Sequence, residues 1–162
     1  MKEVELTKGY KALVDDEDFD RVNQFKWSAC VQNRKGGTIV VYALRHSRTE
    51  PKTTKLHRFI LGVTDINVDV DHCNHNTLDC QKKNLRLCTH GQNVANRMKY
   101  KIRSSKFKGV HWDKDSSKWR AQIQVRGVGK SLGRYVEEIE AAKAYNIAAL
   151  EVFKEFAYLN EV

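Results

Sequence analysis

A chain of 162 residues holds one ordinary domain or several small ones, none with a large core. At 41% hydrophobic and 30% charged it is slightly less apolar and more charged than an average globular protein, and the lack of any run of about 18 apolar residues excludes a helical membrane span. The formal charge is +9, and one segment, 97–134, carries all of the excess, with twelve Lys or Arg against two Asp; positive charge concentrated in this way is the footprint of a nucleic-acid binder.

At the N-terminus no apolar stretch follows Lys2, which argues against secretion. Residues 1–54 are predicted to form a small, mainly β lead-in. Val4 and Leu6 alternate with polar neighbours, and Gly9 marks a turn before Ala12, Leu13 and Val14. Asp15 or Asp16 is placed to cap a short helix carrying Phe19, Val22 and Phe25 on one face. The acidic run 15–20 is read as charge on that helix's first turn, favoured by the helix dipole, rather than as a metal site. Residues 27–31 read as a strand, 35–37 as a hairpin turn and 38–44 as its partner. Polar residues 45–55, with the chain's one proline at 51, suit a loop or an exposed hairpin tip.

The stretch 68–97 is the chemically informative one. Val68 and Val70 alternate with Asp69 and Asp71, a strand that delivers Asp71 and His72 to its end. A polar loop, 73–83, follows, then a return strand with Leu85 and Leu87. Thr89 is placed to cap a helix opening at His90 and carrying Asn93, Asn96 and Arg97. If that helix packs across the hairpin, Asn93 comes to face Asp71. Oxygen ligands suit Mg²⁺ (or Mn²⁺), and one divalent ion on Asp71 and Asn93 fits a phosphodiesterase that cuts DNA. His72, neutral near pH 7, is placed to take the proton of the attacking water. Asn84 is read as fixing the loop or the imidazole through amide hydrogen bonds.

Asp71-His72, then Asn84-Leu85-Arg86, then Gln92-Asn93 resemble the HNH endonuclease family, and most closely its phage and intron-borne homing-type branch, where Asn replaces the last His. The upstream Leu56-His57-Arg58 and Ile60-Leu61-Gly62 resemble that family's lead-in helix, and the stretch 6–20 its N-terminal region. The resemblance implies a ββα-metal finger over 55–98 and metal-dependent hydrolysis of double-stranded DNA with one Mg²⁺ or Mn²⁺ per site. By position it assigns Asp71 and Asn93 as metal ligands, His72 as general base and Asn84 as the middle Asn. It implies further that the finger meets the backbone in the minor groove, and that a single centre nicks one strand. Cys73 and Cys80 depart from the family's usual loop residues. Near this centre Arg58 is read either as a phosphate contact or as a surface or packing residue. His75 is read as a loop-stabilising hydrogen bonder. Zinc on Cys73, Cys80, Cys88 and His75 is not expected, because structural zinc takes closely spaced ligand pairs. With Cys30 these cysteines are expected to be reduced thiols of a cytoplasmic protein, in a bacterial host if phage-borne.

Residues 99–105 read as a basic linker within the run Arg97, Lys99, Lys101, Arg103, Lys106 and Lys108, a phosphate-tracking arm. Three strands follow, over 107–112, 119–126 and 130–135. Trp119, Ala121, Ile123 and Val125 fall on a packing face of the middle strand, with Arg120, Gln122, Gln124 and Arg126 on a basic, polar one. A helix then opens at Glu137 and Glu138 with Ile139, Ala142, Tyr145, Ala149 and Val152 in a stripe. Phe107-Lys108-Gly109-Val110, residues 118–123 and 140–150, and Leu159-Asn160 resemble the AP2 DNA-binding domain. That likeness implies a domain over 106–162 whose sheet enters the major groove, with Lys108, His111, Arg120, Gln122, Gln124, Arg126 and Ser131 as outward candidates. Trp119 is read as core, and Trp112 is left open between packing and a DNA or loop contact.

The expected fold class is thus α+β: a β-rich lead-in, a ββα-metal finger, and a three-stranded antiparallel sheet on one helix. The expected partner is double-stranded DNA, with no membrane and no obligate protein partner. The alternative is a catalytically inactive DNA-binding or regulatory protein that keeps the finger as scaffold.

Overall fold

Alternating apolar residues near the N-terminus build the first hairpin. β1 (Lys2–Glu5) pairs antiparallel with β2 (Lys11–Val14), placing Val4 opposite Ala12. The computed structural model describes residues 1–34, 37–49, 51–97 and 104–162. These form a mixed α+β chain of several small antiparallel sheets and few helices, divided into two units, Met1–His90 and Gly91–Val162. No described helix is long and apolar enough to cross a membrane.

In the first unit β2 leads into α1 (Asp16–Asn23), with Asp15 at the N-cap position. The Asp15 side chain does not cap the helix as expected. Its carboxylate accepts instead from the Lys82 backbone N–H at 2.8 Å and the Gln81 amide at 3.2 Å. Phe25 lies beyond the helix end, 38% exposed, under the Arg45 guanidinium at 4.0 Å. β3 (Ser28–Asn33) and β4 (Ile39–His46) form the next hairpin, and β5 (Thr53–Lys55) adds to β4. The expected polar tip is therefore shorter, because both flanks of 45–55 are strand.

α2 (Leu56–Leu61) follows directly and stops at Gly62, whose φ of 65° is the left-handed turn that glycine accepts without cost. β6 (Asp69–His72) and β7 (Leu85–Cys88) pair antiparallel, with Asp71 opposite Arg86 and His72 opposite Leu85. α3 (His90–Asn96) begins two residues later. One core joins Val4, Val14, Val22, Trp27, Val41, Leu56, Ile60, Val70, Cys80 and Leu85. The lead-in and the β6–β7 hairpin therefore share buried surface. Backbone bonds reinforce this: Leu13 N–H donates to Leu78 O at 2.8 Å, and Cys80 N–H to Leu13 O at 2.9 Å.

In the second unit β8 (Val110–Asp113), β9 (Lys118–Val125) and β10 (Val128–Tyr135) form an antiparallel sheet in the order β10-β9-β8. α4 (Glu138–Phe153) packs on one face through Ala141, Ala142, Tyr145 and Ala149. The expected stripe is shifted, since Ile139 and Val152 are 50% and 44% exposed. Alanines let the helix backbone approach the sheet closely, and the wider side chains fall outside that contact. Arg126 has left the strand and sits at φ 50° in the turn to β10. Asn160 fastens the C-terminal end: its Oδ1 accepts from Lys108 N at 2.7 Å, and its N–H donates to Asn146 Oδ1 at 2.8 Å.

Candidate active site

The β6–β7 hairpin carries most of the residues on which the chemistry was expected. Period-2 alternation puts Val70 and His72 on the side facing the core and Asp71 on the other. Asp71 is 7% exposed, and its Oδ2 accepts from its cross-strand partner Arg86, from Nε at 3.0 Å and Nη2 at 2.7 Å. This ion pair orients the carboxylate, and the sequence reading did not assign it. Arg86→Leu is expected to lower stability by about 2 kcal/mol. That is less than the ~3–5 kcal/mol for breaking a fully buried pair, because the guanidinium keeps partial access to water. Urea unfolding of the variant checks it.

His72, 5% exposed, sits among rings and a thiol. The His57 ring, on the first turn of α2, meets it edge to face with centroids 4.9 Å apart. Tyr42 of β4 lies 6.5 Å away, and Cys80 Sγ is 4.0 Å from His72 Nε2. Burial pushes the His72 imidazole down from 6.5 to about 4, against the opposing pull of the Asp71 and Asp79 charges. His57 is also driven well below 6.5, first by burial and then by the charge of His72. Both rings are therefore neutral near pH 7.

The consequence for stability has a definite sign. The unfolded chain takes up protons on these imidazoles below about 6.5, and the folded His72 does so only near 4. Their contribution is thus fully present above about pH 6.5 and is lost as the pH falls toward 4. The melting temperature should drop across that window, and a double variant with Phe at 57 and 72 should drop less.

Asn84 is 5% exposed and binds the loop rather than an imidazole. Its Oδ1 accepts from Asn74 N–H at 2.9 Å and its Nδ2 donates to Asp79 O at 2.7 Å. Arg58 braces the approach to β6, donating to Val68 O and Asp65 O at 2.6 Å each. His75 takes φ 63° in the same loop, and its N–H donates to His72 O at 3.0 Å. His90 Nδ1 meets Asp69 Oδ2 at 3.0 Å. All four cysteines are unbridged. Among the described residues no three His, Cys, Asp or Glu side chains converge as a metal-binding group.

Asn93 lies half-buried on α3, within the second unit. Of the candidate phosphate contacts there, Arg97, Lys106, Gln122, Gln124 and Arg126 are exposed, and His111 and Arg120 are half-buried. Lys108 turns inward: its Nζ donates to Ala95 O and Arg97 O, and burial lowers it to about 8. Gln124 donates to Gly127 O at 3.2 Å. Trp112 stacks edge to face on Trp119 at 5.1 Å while remaining 38% exposed. Lys99, Lys101 and Arg103 lie outside the described residues.

Comparison with known proteins adds one finding. The chain is 32% identical over 160 residues to an uncharacterized HNH endonuclease of Acanthamoeba polyphaga mimivirus, a match that covers 96% of this chain and 77% of the relative. No family model and no solved structure matches.

Proposed function

The chain belongs to the HNH endonuclease family, and on that footing we propose that it is a metal-dependent nuclease that nicks double-stranded DNA, with Asp71 and His72 at its reactive centre. The observation that carries the reading is the end of β6. There a carboxylate oriented by Arg86 precedes a neutral imidazole held between His57 and Cys80. Carboxylate and amide oxygens form a hard donor set, and Mg²⁺ takes few protein ligands because it keeps several of its waters. Asp71 and Asn93 would hold the ion. A cation on Asp71 has to share this carboxylate with Arg86. When bound it would supply charge stabilisation to the phosphate and the leaving oxygen.

The chain's own residues do the rest. His72 takes the proton of the attacking water, and the approaching phosphate, an anion, raises the imidazole from its depressed value toward the working range. Asn84 fixes the loop 73–83, so that His72 stays at a defined place at the strand end. The second unit, read as an AP2-like domain, supplies the hold on DNA. Arg120 and Gln122 alternate on β9 with the residues packed on α4, and Arg126 follows in the turn to β10, so duplex contact is assigned to the face opposite the helix. With the basic run 97–106, each neutralised phosphate contributes a logarithmic salt slope of roughly −0.9.

Conversion of supercoiled plasmid to open circles, with Mg²⁺ or Mn²⁺ and with chelator, tests this reading. Nicking that requires the metal is the expected result. DNA binding without any cleavage in either metal would support the inactive, regulatory alternative.

A further inference from the structure

The buried groups around His72 that the proposed chemistry does not use share one geometry. Cys80 is 1% exposed, with Sγ 4.0 Å from His72 Nε2 and 3.9 Å from Thr77 O. A thiol that donates to the carbonyl of Thr77 offers its sulfur lone pairs to the imidazole. Burial keeps it a thiol, since its pKa is pushed up to about 12. A hydrogen on the ring nitrogen facing that sulfur would complete the contact and leave the lone pair of His72 on Nδ1.

On the other side stands His57. It is 5% exposed, at 86° to the His72 ring, and lies between Leu56 at 0% and Ile60 at 4% in the same core. Tyr42 completes the wall, 5.9 Å from His57. Both supports rest on rigid elements. His57 is on α2, and Cys80 is held by its backbone bond to Leu13 on β2.

We propose that His57 and Cys80 are positioning residues that clamp the His72 imidazole in one orientation and one tautomer, with Nε2–H on the Cys80 sulfur and the lone pair on Nδ1. This rests on the assignment of His72 as the base. It gives the lead-in a task in catalysis, because β2 is what holds the sulfur in place.

Two readouts on the full chain test the clamp. Two-bond proton–nitrogen spectra of histidine-labelled protein at pH 7, with His72→Ala identifying the signal, report the tautomer. The expected result is a single Nε2–H form for His72 that becomes a mixture in Cys80→Ala. In steady-state nicking His57→Phe, which keeps an aromatic wall, should retain kcat within about threefold. His57→Ala should lose about 10²-fold in kcat at unchanged KM, the usual cost of a misplaced reacting group.

A wild-type His72 protonated on Nδ1 would overturn the proposal, as would a folded His57→Ala with undiminished kcat. If His57→Ala melts before it can be assayed, the wild-type and Cys80→Ala spectra decide. Absence of nicking by the wild type would defeat the nuclease reading instead, and the clamp is then judged on the spectra alone.

Discussion

His72→Ala is expected to nick plasmid at least ~10²-fold more slowly than the wild type, and up to ~10⁴-fold, the range that a positioned general base supplies. Asp71→Ala should be comparably inactive. The loss must appear in kcat, because neither residue lies on the face assigned to holding DNA, and affinity measured in the presence of chelator should change little. His72 is among the most buried polar groups of the first unit, so replacing it by alanine leaves a small cavity beside His57 and Cys80. A melting curve recorded beside each rate separates a lost base from a loosened fold. Equal falls in rate and in folded fraction would assign His72 to packing.

The second large effect is expected at Gly109. Its φ is +76°, and an added Cβ would collide with the Tyr145 ring and come within 2.6 Å of the Gln122 backbone oxygen. Tyr145 is 3% exposed and has nowhere to go, and Gln122 N–H is itself bonded to Gly109 O at 2.8 Å. Backbone strain and overpacking together cost Gly109→Ala about 3–5 kcal/mol. A core of this size rarely supplies more than ~3–5 kcal/mol of net stability. The second unit should therefore be largely unfolded. DNA affinity should collapse with it, and the salt dependence of binding should flatten as phosphate contacts are lost. Fluorescence anisotropy with a labelled duplex across a salt series measures both. Unchanged affinity in a variant whose second unit has melted would remove that unit from DNA binding.

Local pattern carried far into this structure. Alternation at Val68 and Val70 placed Asp71 and His72 at a strand end, and they are the last two residues of β6. Leu85 and Leu87 mark the return strand, and the three strands and helix of the second unit stand close to their expected bounds. What escaped the pattern depends on contacts between distant residues. The pairing of Asp71 with Arg86 requires the register of the hairpin, which the length and turns of the loop 73–84 decide. In the sequence His57 reads only as part of the lead-in helix; its edge-to-face contact with His72 spans 15 positions and follows from where α2 packs. Asp15 favours a helix cap locally, yet the Lys82 backbone N–H, 67 positions on, takes its carboxylate. Lys108 reads as one of a basic run until its Nζ is seen binding the carbonyls of Ala95 and Arg97. A signal for Arg86 was nonetheless present: it follows Asn84-Leu85 directly, and a lone cation alternating with leucines in a short strand invites a cross-strand acid.

Titration calorimetry of Mn²⁺ into the wild type, Asp71→Ala and Asn93→Ala meets the central claim head on. One ion per chain in the wild type, lost in each variant while both remain folded, is the predicted result. Wild-type affinity retained by both variants would contradict it, because the cation would then be held by other residues and the centre at the end of β6 would lose its metal.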